Sequence, residues 1–307
     1  MFPEAPVLLV TFNRPETTIE VFRKIKQAKV RKLYFFNDGP RQGNEKDSKA
    51  REEIRTIVEM VDWDCELHTN FSEENLGCGP GVSSAITWAF EKEDRLIVLE
   101  DDFVPAISFF NYCHELLEKY KDDTRVWWIT GNNYSEEKKI FDYDYFFTTY
   151  GHSQGWATWK RSWEHFDLKM SKFPIFRDTF RKYDSYHTKK EANFFFPMKE
   201  RLFENEYAKS HQWASQFGFI IRANGGLCIT PRKNLVTNIG YMGTHSGGAN
   251  STHNIEVDEN FIVKKHPDFV LVNKEYDLYH FKTYWKKMKK NIFQKVVRKI
   301  GKWYKQI

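Results

Sequence analysis

The stretch Arg95-Leu96-Ile97-Val98-Leu99-Glu100-Asp101-Asp102 decides how the rest of the chain reads. Aliphatic side chains in an unbroken run, without alternation, are the pattern of a strand buried on both faces, as in a parallel sheet. Here the run leads directly into three consecutive acids. In an open parallel α/β sheet, ligands bind beyond the carboxyl ends of the strands, so Glu100, Asp101 and Asp102 fall at a candidate site. Carboxylates there are costly unless something cationic neutralises them, and Mg²⁺ or Mn²⁺ shared between a carboxylate and a diphosphate would do so. Acids also favour helix N-termini, but three in a row exceed what a helix cap requires.

Working outward, short apolar runs alternate with helical patterns. Residues 6–12 read as a strand ending in Asn13-Arg14-Pro15, followed by a helix over 16–27. Residues 32–36 form the next strand, stopped by Asn37-Asp38-Gly39-Pro40, with a helix over 45–61. A weaker strand at 64–69, a helix at 81–91, a helix at 108–120 and a strand at 126–130 continue the series. This alternation predicts an α/β fold, Rossmann-like, with a mainly parallel central sheet. Its strand ends bring Thr11, Asn13, Arg14, Asn37 and Asp38 to the same edge as the acids. No G-x-G-x-x-G follows the first strand, which argues against a dinucleotide oxidoreductase. From about Tyr134 the chain turns aromatic and irregular, with helical pieces over 156–166 and 190–217. The division expected is a nucleotide-binding half at 1–133, a lobe continuous with it at 134–280, and a tail at 281–307.

Hydrophobic residues make up 41% of the 307 and aromatic residues 17%, which excludes a disordered chain. Cys65, Cys78, Cys113 and Cys228 are scattered without metal-ligand spacing and are expected to be reduced and buried. No stretch is long and apolar enough to span a membrane, and the first residues lack a basic start followed by an apolar core. The net charge of +5 hides an asymmetry, because residues 281–307 carry ten Lys or Arg and no acid, leaving the remainder near −5. Nucleic acid is therefore not an expected partner. In the tail Phe281, Tyr284, Trp285, Met288, Ile292, Val296, Ile300, Trp303 and Ile307 recur at helical steps opposite lysines. This C-terminal amphipathic helix is expected to dock on an anionic membrane surface, with folding back onto the acidic body as its first rival and a nucleic-acid arm a distant third. The resulting location is cytoplasmic, peripheral on the inner face of the membrane.

Three segments carry a resemblance: Val7-Leu8-Leu9-Val10-Thr11-Phe12-Asn13-Arg14-Pro15, Asn37-Asp38-Gly39 and Leu99-Glu100-Asp101-Asp102. In order, they resemble the nucleotide-sugar motifs of GT-A glycosyltransferases, the N-acetylglucosaminyltransferase I type and related bacterial nucleotide-diphospho-sugar transferases. The likeness runs on through Gly155-Trp156-Ala157-Thr158-Trp159 and Asn234-Leu235-Val236-Thr237-Asn238-Ile239-Gly240 to Thr244-His245-Ser246, covering roughly residues 7–246. It implies a GT-A fold with an aromatic acceptor-side lobe. It also implies Mn²⁺- or Mg²⁺-dependent transfer of a sugar from a nucleoside diphosphate, UDP first among them, to a glycan or lipid-linked glycan, with inversion. By the same resemblance Thr11, Asn13 and Arg14 line the nucleoside site, Asp38 binds the base or ribose, and Asn75 and Gly77 border the nucleotide. Glu100 faces the donor sugar, Asp101 the ribose, Asp102 is the metal ligand, and His245 lies near the metal or diphosphate. The plainer readings are turn chemistry at Asn13-Arg14 and Asp38-Gly39-Pro40, a loop histidine at His245, and core positions for Trp156 and Trp159.

The pattern breaks at the general base. In the families resembled, a carboxylate comes shortly before a tryptophan in the second lobe; here Tyr207-Ala208-Lys209-Ser210-His211-Gln212-Trp213 contains none. Glu206 and His211 are the candidates, His211 because imidazole is the side chain that can take up a proton near neutral pH. The break admits a non-catalytic nucleotide-sugar-binding subunit as an alternative. A nucleotidyltransferase is the other, although that class begins with a glycine-rich basic loop, which Thr11-Phe12-Asn13-Arg14 is not.

Overall fold

The computed structural model describes residues 4–136, 142–179, 183–240 and 255–286. The first half follows the expected alternation: β1 (Val7–Thr11), α1 (Pro15–Ala28), β2 (Lys32–Asn37), α2 (Glu45–Val58), β3 (Glu66–Phe71), α3 (Cys78–Phe90) and β4 (Arg95–Glu100). Then come β5 (Phe103–Pro105), α4 (Ile107–Lys119), β6 (Val126–Thr130), β7 (Tyr145–Thr148), β8 (Trp156–Trp159), α5 (Lys160–Trp163) and α6 (Phe173–Thr179). The chain continues with α7 (Lys189–Glu204), α8 (Glu206–Ser210), α9 (Ala214–Ala223), β9 (Leu227–Pro231), β10 (Val236–Asn238) and α10 (Lys274–His280), which leads into a π-helical turn at Phe281–Trp285.

Local chemistry explains the boundaries. Pro15 opens α1, where its missing N–H costs nothing, and Lys29 closes it in the left-handed region at φ 50°. Asn44 caps α2 by accepting from the N–H groups of Lys46 and Asp47 at 3.1 and 3.2 Å. Thr188 caps α7 through the N–H of Glu191 at 3.2 Å.

Eight strands form one sheet in the order β3-β2-β1-β4-β8-β6-β9-β7. All but β8 and β7 run in one direction, so the sheet is mostly parallel and Rossmann-like, as expected. β8 is wedged antiparallel between β4 and β6, with Ala157 opposite both Ile97 and Ile129. Leu96, Ile97, Val98 and Leu99 are all fully buried, because helices cover both faces. On one side pack α1, α2 and α4; on the other, α3, α7 and α9 bring the tryptophans of the second half, with Trp156 lying 4.5 Å from Trp128 and 5.2 Å from Trp213. A separate two-stranded ribbon pairs β5 with β10.

Four expectations need correction. The segment 156–166 was expected to be helical, yet it begins as strand β8; all four of its residues are buried, so it has no exposed face to mark a period. The expected helix over 190–217 is broken at Asn205, which ends α7 and caps α8, and again before α9. Cys113 and Cys228 are buried, but Cys65 is partly exposed and Cys78 exposed at the head of α3. Finally, the first turn of the tail faces inward: Phe281 packs on Phe194 and Phe195, Trp285 on Phe195 at 5.3 Å, and Tyr284 stacks 4.9 Å from His280. These aromatic groups are spent on the body and unavailable to a membrane; residues 287–307 lie outside the described residues. Among the described residues, no helix is long and apolar enough to cross a membrane.

Leu99 lies at the centre of this arrangement. Leu99→Ala is expected to lower unfolding stability by about 2–5 kcal/mol, read as a drop in urea midpoint at constant slope; a change within experimental error would place Leu99 outside the core.

Candidate functional site

The carboxyl ends of β1 and β4 meet at one charge cluster. Pro15 biases its predecessor away from helical backbone, and Arg14 accordingly sits at φ −126°, ψ 72° with its side chain turned across to β4. There it forms an ion pair with Asp101 and donates from Nη1 to Asp102 Oδ2 at 3.0 Å. The Phe12 N–H also donates to Asp101, at 3.3 Å. Burial alone would pull the Arg14 pKa down, but Asp101 and Asp102 outweigh it and hold the guanidinium firmly charged. Asp101 is pushed above the usual carboxylate range by burial, against the pull of Arg14.

Glu100 differs from its neighbours. It hydrogen-bonds to no described group, and burial, with Asp102 and Asp101 adding, pushes its pKa to about 8. Over the cluster runs the end of the β5–β10 ribbon, where the Ile239 N–H donates to the Asp102 carbonyl at 2.9 Å. Gly240 then passes so close that a Cβ there would stand 2.1 Å from Asp102 Oδ2. Only glycine allows this approach.

The acids were expected to need a metal to neutralise them; Arg14 already supplies part of that charge. Among the described residues no three His, Cys, Asp or Glu side chains converge as a cage. What the cluster offers is narrower. Arg14 occupies Asp102 Oδ2, and Oδ1 bonds to no described group. One open carboxylate oxygen fits a Mg²⁺ or Mn²⁺ that arrives on a diphosphate and keeps its waters, since such ions use one or two carboxylates plus phosphate oxygens. His245 lies outside the described residues.

Several residues assigned to the nucleotide turn inward instead. Thr11 donates to the Phe36 carbonyl at 2.9 Å and accepts from Asn37 Nδ2 at 3.0 Å, tying β1 to β2. Both oxygens of Asp38 are taken: Oδ1 by the N–H groups of Gly39 and Leu76, Oδ2 by the Gly77 N–H and Asn75 Nδ2. Burial raises the Asp38 pKa in spite of those bonds. Asp38 therefore holds the loop at 75–77 against the end of β2, and Asn75 and Gly77 are placed by it. Asn13 donates to Asp47 Oδ1 at 2.7 Å. Asp47, held near pKa 2 chiefly by its bonds from Arg41, was not singled out in the sequence, nor was Arg41, whose guanidinium lies 5.5 Å from the Phe12 ring centroid. Their only signal was an acid three residues after Asn44, which reads equally well as an exposed first-turn charge.

The base candidates lie on α8 and at its C-terminal cap. The backbone oxygens of Ser210 and Gln212 crowd Gly79, next to Cys78 at the head of α3. Glu206 is exposed and paired with Lys209. His211 stacks on Tyr207 at 3.8 Å, and its Nδ1 donates to the Tyr207 carbonyl at 2.7 Å. Trp156 and Trp159 are core side chains, as their plainer reading had it.

No family model matches the chain, and no curated protein matches its sequence. Among solved structures, a UDP-glucose pyrophosphorylase complexed with UDP-glucose matches 52% of this chain and 78% of its own, with a TM-score of 0.31 and 10% identity. A likeness of that size decides nothing about activity.

Glu100 gives the cluster a pH signature. Its native pKa of about 8 lies above the ordinary 4.5, so the folded state holds a proton that the unfolded chain releases, and stability falls as pH rises between those values. Glu100→Gln is expected to flatten this slope and to stabilise the metal-free protein at pH 8 by on the order of 2 kcal/mol. Denaturant melts at pH 5 and pH 8 measure both; equal slopes in the two proteins would remove Glu100 as the cause.

Proposed function

We propose that this protein is a metal-dependent glycosyltransferase that moves a sugar from a nucleoside diphosphate, UDP first among candidates, to a glycan or lipid-linked glycan. The observation that carries the reading is the convergence at the strand ends of Arg14, Glu100, Asp101 and Asp102 beneath Gly240. A diphosphate brought there meets a fixed guanidinium and one open carboxylate oxygen for a divalent ion. The ion would supply charge stabilisation of the leaving nucleoside diphosphate. Asp102 would hold it, with His245 as a proposed neighbour. Glu100 would face the donor sugar.

For the acceptor proton, His211 is the better placed of the two candidates. Its Nδ1 is engaged by the Tyr207 carbonyl, which leaves Nε2 as the acceptor a general base needs. The ten basic residues of the tail would draw the protein to an anionic membrane surface carrying the acceptor.

One observation favours a second reading. Because Arg14 already offsets part of the charge of Asp101 and Asp102, a non-catalytic subunit could bind the nucleotide without metal. Calorimetric titration of the full chain with UDP, with Mn²⁺ or with EDTA, separates the two. Binding that needs Mn²⁺ and weakens by roughly tenfold or more in Asp102→Asn, a loss of about 1.4 kcal/mol, supports the transferase. Equal binding in EDTA supports the subunit. Failure of UDP and of other nucleoside diphosphates to bind under either condition overturns both.

A further inference from the structure

The opposite edge of the sheet carries a second constellation that the proposed chemistry does not use. Thr148, the last residue of β7, pairs with Cys228 near the start of β9, so the loops leaving β7 and entering β9 meet at the amino ends of β6 and β9. A cleft of about 370 Å³ opens there, between Thr149, the segment 185–187 and the exit of α9 at Arg222 and Ala223. Ligand pockets commonly span about 300–1,000 Å³.

Its polar groups are held in place from behind. Asp277, fully buried on α10, accepts from Thr148 Oγ1, from Thr149 N and Oγ1 at 3.0 and 2.8 Å, and from His187 Nε2 at 2.7 Å. A carboxylate only accepts, so Nε2 carries the hydrogen and the orientation of the His187 ring is fixed. Its other nitrogen, Nδ1, bonds to no described group and is left as the acceptor for whatever enters.

Arg222 forms the facing wall. It donates to the Ser185 carbonyl at 2.8 Å and to the carbonyl and hydroxyl of Thr149 at 3.1 Å, and it lies over the rings of Tyr186 and Tyr150 at 4.6 and 5.3 Å. Phe176, set edge-on to Phe219 at 5.2 Å, supplies the apolar side. Ser185 Oγ is buried beside the cleft with no partner among the described residues, the state in which a ligand or its water completes a site.

Charge selects the ligand class. Arg222 makes no ion pair among the described residues, but Asp277 and Glu191 act with it on the same Tyr150 hydroxyl, and Asp184 lies on the lining. A cationic wall backed by that many acids does not favour an anion. With its one cation offset by acids, of which Asp277 and Glu191 are already engaged in hydrogen bonds, the cleft's directed donors and acceptors and its aromatic side suit a neutral polyhydroxyl ring. We propose that this cleft binds a neutral sugar unit, as a carbohydrate-holding site on the sheet edge opposite the acid cluster. It stands on the cleft alone and does not depend on the donor-site reading.

Saturation-transfer NMR on the full chain tests it, with D-glucose, D-galactose and N-acetyl-D-glucosamine as probes, each with and without saturating UDP. The expected result is transfer to at least one sugar, unaffected by UDP. It should weaken by roughly tenfold or more in Ala223→Trp, an exposed rim position filled by a large ring, and in His187→Gln. Unchanged thermal unfolding of Ala223→Trp shows that blocking, not misfolding, is responsible. Transfer to none of the three sugars, displacement by UDP, survival of binding in both variants, or tighter binding of glucuronate than of glucose would each overturn the proposal.

Discussion

Carboxylates at the end of a strand buried on both faces have little water to hold their charge, and Arg14 is what allows Asp101 and Asp102 to remain there. The guanidinium is itself partly removed from water, so each partner would be costly alone. This pairing ties the end of β1 to the end of β4 through side chains as well as through the sheet. It also explains why, among the described residues, Glu100 and one oxygen of Asp102 are left without a partner: the single arginine has two Nη groups, and both are committed. The geometry of the site follows from how far one positive charge can be shared among three negative ones.

The opposing edge solves a similar problem differently. Asp277 is neutralised mainly by hydrogen bonds, from two threonines and a histidine, and the nearby Arg222 spends its donors on carbonyls and a hydroxyl and its flat faces on tyrosines. One edge concentrates charge and the other disperses it. A mostly parallel sheet makes such a contrast available, because its two ends are chemically unlike and the loops at each are drawn from different parts of the chain.

The first half of the fold was legible because β1, β2 and β3 are each followed by a helix, and β1 and β2 are stopped by recognisable turn chemistry at Asn13-Arg14-Pro15 and Asn37-Asp38-Gly39. The second half resisted because β7 and β8 are only four residues long, aromatic and buried throughout; nothing in Trp156–Trp159 separates a core strand from a core helix. At the site, the acids could be placed from the strand that delivers them. Which polar groups would be consumed by the protein could not: Asp38, Thr11 and Asn13 find partners 25 to 38 positions away in sequence. Arg14 was assigned to the nucleoside, whereas its two ion pairs bridge 87 and 88 positions.

The β5–β10 ribbon also sets a timetable. Phe103 pairs with Asn238, and Gly240 closes over Asp102 only when that pairing exists. With chain synthesis at about 5–20 residues per second, the roughly 135 intervening residues take on the order of 7–27 s to emerge. During that interval a newborn chain can assemble β1 to β4 and seat Arg14 against the acids, while their upper surface stays bare to solvent and to stray cations. Loop closure over such a separation is slow to nucleate. The cluster is therefore assembled early and roofed last, and an interruption of translation between the two strands would leave a fragment whose acidic edge is permanently unroofed.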